Sequence, residues 1–106
     1  VLRKRHRVHD MAVGTVAEGR WYAAQFLRQT ALDEPAMAGE LQAAACYELE
    51  HDLMWEVWGL AGGHSNPEAY LRLAEPGTRR RIAAVILQAR DKDVEAAAHL
   101  EAALAR

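Results

Sequence analysis

The sequence predicts an all-α fold: an antiparallel bundle of three long helices plus one short helix, packing as a homodimer. Three observations carry this expectation. Apolar residues recur at helical spacing through most of the chain, and no segment shows the β-branched alternation of a strand. Gly and Pro gather at a few points and divide the chain into helix-sized pieces. The connections between the long pieces are short, which makes consecutive helices antiparallel neighbours.

The first helix is expected from about His9 to Ala31. Asp33-Glu34-Pro35 reads as the start of the second, with Asp33 as cap and Pro35 in the first turn. That helix runs to about Leu60 and stops at Gly62-Gly63, the residues that end helices most readily. Asn66-Pro67-Glu68 reads as the start of a short helix reaching about Leu73, with Asn66 as cap and Pro67 at its first position. Glu75-Pro76-Gly77-Thr78 reads as a break, and the last helix runs from about Arg79 to Leu104.

With 106 residues, the chain makes a single domain spanning 1–106. It begins at Val1 with a basic run that reads as the tail of something, so a piece of a longer protein is expected, with other domains as possible partners. Composition is that of a folded protein: 51% hydrophobic, 26% charged, formal net charge −2. That balance gives no global signal for nucleic acid or an anionic membrane. No apolar run approaches the roughly 20 residues needed to span a bilayer. No apolar stretch follows the basic segment Leu2 to His9, as a secretion signal requires. Cys46 is the only cysteine, so no internal disulfide forms, and a cytoplasmic setting is expected.

A helix turns about 100° per residue, so faces follow from spacing. Val13, Val16, Ala17, Ala24, Leu27 and Ala31 share one side of the first helix, and Arg20 falls among them. On the second, Cys46, Leu49, Leu53, Val57 and Leu60 form a stripe that Tyr47, Met54 and Trp58 widen. Glu50 lies inside that arc. On the last, Ile82, Ile86, Ala89, Ala97, Leu100 and Leu104 form a seam with Asp93 in its middle. Three charges on buried faces must be paired or bound to a ligand. Hairpin geometry puts Arg20 within a turn of Glu50, which favours a paired, register-setting core. Asp93 does not match the level of Glu50 in a simple hairpin. It is therefore the first place to look for a ligand, in a pocket anchored by Arg20, Glu50 and Asp93 and walled by Tyr47 and Trp58.

Metal and catalytic readings have less support. Glu48 and His51 have a Glu-x-x-His spacing, but ferritin-like carboxylate sites need two such motifs facing inward. Only one occurs, and Glu48 points away from the apolar arc. Glu95 and His99 are four apart, in the wrong order, on the face opposite the seam. No metal and no cofactor is expected. Cys46 lies on the apolar face, about 140° around the helix from His51, so the two make no nucleophile–base pair. Gly62-Gly63-His64-Ser65 lacks the lysine of a phosphate loop.

Charge is segregated. No lysine or arginine lies between Arg28 and Arg72, while basic residues cluster at Arg3–Arg7 and Arg79–Arg81. Complementarity between an acidic second helix and basic neighbours accounts for this better than nucleic acid does. Trp55 and Trp21 fall at the margins of their apolar arcs, where a dimer face or a pocket wall would use them. The expected role is a non-catalytic bundle acting in dimerisation or as an accessory domain. A small-ligand or sensor domain is the first alternative, and a carboxylate–histidine metal protein the second.

Overall fold

The computed structural model describes residues 1–34, 37–63 and 67–105. Three long helices, α1 (Leu2–Asp33), α2 (Ala38–Leu60) and α3 (Pro76–Leu104), are joined by a 3-10 segment, Ala69–Ala74, between the last two. No strand occurs among the described residues. No helix among them is long and apolar enough to cross a membrane.

The starts of α1 and α3 differ from the sequence reading, each for a physical reason. The first helix begins at Leu2 rather than about His9, so the basic run is helical. His6 lies a whole number of turns from Val13, Ala17 and Ala24, and all four are buried. The His6 Nε2–H donates to the Ala61 carbonyl at 2.9 Å, pinning the first turns of α1 onto the end of α2. The last helix begins at Pro76 rather than Arg79. Proline suits the first helical position because its missing N–H would have no partner there. Thr78 Oγ1 then donates to Glu75 Oε2 at 3.1 Å, closing the first turn.

Asp33 is the last residue of α1, not the cap of α2; α2 begins after Met37 with no side-chain cap. Pro35 and Asn66 lie outside the described residues, so the roles read for them do too. The short helix is 3-10 in character. Gly62 (φ +107°) and Gly63 (φ +67°) turn the chain out of α2 as expected. A Cβ on Gly62 would stand 2.5 Å from the Ala69 methyl, so only glycine fits this turn.

α2 is the central element. It packs closely on both α1 and α3, whereas α1 and α3 approach each other at few positions. The result is an open layer measuring 49 × 22 × 17 Å. Its radius of gyration is 16.2 Å, against about 13 Å for a compact domain of this length. One core cluster joins Val13 and Ala17 to Met54, Val57 and Ala61 and to Ile82, Val85 and Ala89. A second joins Ala43, Cys46 and Ala96, with Leu27, Tyr47 and Leu100 against it. Both are rich in alanine, which lets the helices approach but buries little apolar area per residue.

The buried stripes are rotated from the predicted ones. Leu49, Ile86 and Leu104 are exposed, and Val85 and Ala96 take the inner positions on α3. An open layer buries a narrower arc on its outer helices than a closed bundle does, so part of each predicted stripe faces outward.

Candidate functional site

The three charges meet. Arg20 on α1 lies over the middle of α2 and reaches across to α3. Its Nε is 2.6 Å from Glu50 Oε1 and 2.8 Å from Asp93 Oδ1. The mismatch in level read from the sequence is therefore corrected. Gly39 packs against His99 and Ala103, which sets Glu50 level with about residue 90 at the helical rise. Asp93 is then one turn away, and a guanidinium spans that distance.

Burial differs sharply within the triad. The Glu50 side chain is 4% exposed, while Arg20 and Asp93 are 35% and 42% exposed. Glu50 thus sits on the floor of the opening between α1 and α3, with the other two charges at its walls. Tyr47, one turn back on α2, lies beside the guanidinium, 5.8 Å from ring centre to Cζ. Burial pushes the Tyr47 hydroxyl above its ordinary range, and the Asp93 charge adds to this.

Two carboxyls share one guanidinium, and the electrostatics follow from that count. Burial, then the hydrogen bond with Asp93, push the Glu50 carboxyl from 4.5 up to about 7, against the opposing pull of Arg20. Glu50 Oε2 is buried with no acceptor role to fill. A proton kept on this carboxyl makes it a donor toward Asp93, and the pair then carries a single negative charge beside a single positive one. Burial pulls the Arg20 guanidinium down, but the Asp93 hydrogen bond and the two carboxylate charges outweigh it, so its range rises. The cluster can hold a proton near neutral pH and lock three helices in register.

Trp58, expected with this group, is elsewhere. It packs edge-to-face with Trp55, ring centres 5.5 Å apart, on the side of α2 that faces the start of α1. Its ring backs onto Gly63, where a Cβ would come within 3.1 Å. Trp55 Nε1–H donates to His51 Nε2 at 2.9 Å. Since an indole only donates, His51 carries its proton on Nδ1 and donates it to Asp52 Oδ1 at 3.0 Å. Trp21 stacks against His51 from α1, ring centres 5.1 Å apart. His51 is thus committed to this aromatic chain rather than to a metal.

Among the described residues, no group of three or more His, Cys, Asp or Glu is placed to hold a metal ion. Glu48 pairs with Arg28 across α1 and α2. Glu95 pairs with Lys92 at 2.8 Å. Cys46 is buried, and burial, then the Glu95 charge, push its thiol up and away from the reactive thiolate.

His6 and Asp10 were not legible as site residues. Both side chains are about nine-tenths buried, His6 within the basic run at the start of the chain and Asp10 just after it, at the start of the expected first helix. Their spacing from Val13 and Ala17 carried the signal, which the surrounding charge masked.

No family model matches this chain, and neither a curated protein nor a solved structure does.

Proposed function

We propose that this chain is a non-catalytic assembly domain that completes its bundle by pairing with a second copy across the opening between α1 and α3. The surface carries this reading. The chain exposes 6907 Å², whereas a compact monomer of its mass exposes about 5,900 Å². The surplus is comparable to the roughly 800 Å² per partner that a stable dimer removes from water. The residues flanking the opening suit that use. By helical spacing, the exposed Ile86 and Leu104 share the Asp93 side of α3, and Val16 and Leu27 share the Arg20 side of α1. An alanine-rich core gives a lone copy few large side chains to bury, so a second copy adds what the fold lacks.

In this arrangement the Arg20–Glu50–Asp93 cluster sits at the centre of the interface and sets its register, as buried polar groups do in helical assemblies. A ligand pocket built on the same three residues has less support, because their charges are already used on one another. The single buried thiol of Cys46 fits a reducing, cytoplasmic setting.

Thermal melts over a hundredfold range of protein concentration test the pairing. The midpoint rises with concentration if folding and pairing are linked. Ile86→Asp and Leu104→Asp, at positions exposed in the single chain, remove that rise while leaving the dilute-limit midpoint in place. A midpoint independent of concentration, and untouched by both substitutions, contradicts the proposal.

A further inference from the structure

On the opposite side of α1 from the proposed interface, a groove of about 670 Å³ runs between its first turns and the end of α2. That volume is in the range of small-molecule sites. The groove is continuous with a second hollow through His6 and Arg7, which line both. Three features follow one another along it.

At the α1 start are two guanidinium groups. Arg3 is held by the Tyr70 ring, Cζ 4.8 Å from its centre, and donates to the Tyr70 hydroxyl at 3.3 Å. Arg7 is exposed and has no partner among the described residues. In the middle is Asp10, its side chain 10% exposed. Its Oδ1 is buried without a hydrogen-bond partner among the described residues, and its Oδ2 is 3.6 Å from His6 Nδ1, too long for a hydrogen bond. Further on, Trp55 and Trp58 form an aromatic wall facing Gly14.

Asp10 and Gly14 are unexplained by the fold. A buried carboxylate without a hydrogen bond is costly. A glycine in mid-helix costs about 1 kcal/mol relative to alanine, and a Cβ on Gly14 would meet nothing within 4 Å. Its absence keeps the groove open to the helix backbone.

We propose that this groove binds a nucleoside monophosphate. The three features match three parts of one such molecule in linear order. The flat base lies against the indoles of Trp55 and Trp58. Sugar hydroxyl or base N–H groups donate to the Asp10 carboxyl through Oδ2, since Oδ1 is itself buried. The phosphate meets Arg7 and Arg3 at the rim, where a guanidinium binds it with two parallel hydrogen bonds. Glu18, at the far end of the groove, repels the phosphate and so fixes the direction of binding.

Titration with adenosine 5′-monophosphate and uridine 5′-monophosphate, followed by tryptophan fluorescence and by the indole N–H signals in NMR spectra, tests this. Saturable quenching is expected, with the Trp55 and Trp58 signals shifting and Trp21 little changed. The monophosphate binds Arg7→Glu about tenfold more weakly, having lost one charge-assisted contact, and adenosine, which loses both guanidinium contacts, binds more weakly still, by about a hundredfold. Inorganic phosphate alone leaves the indoles unshifted. Gly14→Leu fills the groove and abolishes binding while its circular dichroism stays helical. The proposal is overturned if neither nucleotide gives a saturable change at millimolar concentration. It is overturned equally if binding is unchanged in both Arg7→Glu and Gly14→Leu.

Discussion

Arg20 is the residue on which three helices converge, and its removal leaves two carboxyls facing each other with no cation between them. Breaking a buried charge cluster by deleting one partner costs more than replacing the whole cluster with apolar groups. Arg20→Met is expected to lower stability by about 1–3 kcal/mol, the lower end reflecting its partial exposure. The triple change Arg20→Met, Glu50→Leu and Asp93→Leu is expected to cost less than Arg20→Met alone, as read from denaturant midpoints. Glu50 also gives the protein a pH dependence of known sign. Its folded-state carboxyl titrates near 7 and its unfolded one near 4.5, so the folded chain binds the extra proton between those values. Stability from this group therefore falls as pH rises across 4.5 to 7 and is flat above. Glu50→Gln removes that slope. Between pH 5 and 8 the native chain should lose on the order of 1 kcal/mol relative to the variant. His9, whose range is lowered by burial, titrates in both proteins and cancels. Curves that run parallel would contradict the shared proton. The pairing of Arg20 with Glu50 was legible in the sequence because both lie in apolar stripes at matching levels. Asp93 was not, because its level depends on how the residues between α2 and α3 set the register. Asp10 was not, because a single acid just after a basic run gives no sign that this end of α1 is buried.

Among the elements, α1 departs most from what its sequence suggests, and its glycines say why. Gly14 and Gly19 would each carry a Cβ into open space. Gly14→Ala is therefore expected to raise stability by about 0.5–1 kcal/mol, through helix propensity alone. Gly39 gives the opposite result. A Cβ there stands 3.1 Å from the His99 carbonyl oxygen and 3.2 Å from the Ala103 methyl, so Gly39→Ala pushes α3 away and lowers the melting temperature. Gly62→Ala is worse still, since it meets Ala69 at a positive φ. Helix existence and order were legible from periodicity and from Gly and Pro placement. The first two turns of α1 were not. Four arginine or lysine residues at a helix start oppose the helix dipole, and only the buried His6–Val13 side and the Ala61 carbonyl offset this. The start of α3 was misread by three residues, because Pro76 and Gly77 together look like a break until proline is placed at the first helical position.

At the scale of the whole molecule, the three helices form a layer rather than a closed bundle, and periodicity alone cannot distinguish the two. It reports that a helix has an apolar face, not whether that face is covered within the chain. Ile86 and Leu104, predicted inside, are exposed on the Asp93 side of α3. In the proposed dimer a second copy supplies the missing cover, with the Arg20 cluster at its centre and the Trp55–Trp58 groove left free on the other side. Sedimentation equilibrium of the native chain measures this most directly. The proposed pairing predicts a mass of twice 11.8 kDa at micromolar concentration, reverting to one chain in the Ile86→Asp, Leu104→Asp double variant. A mass of 11.8 kDa for the native chain at every concentration would contradict it.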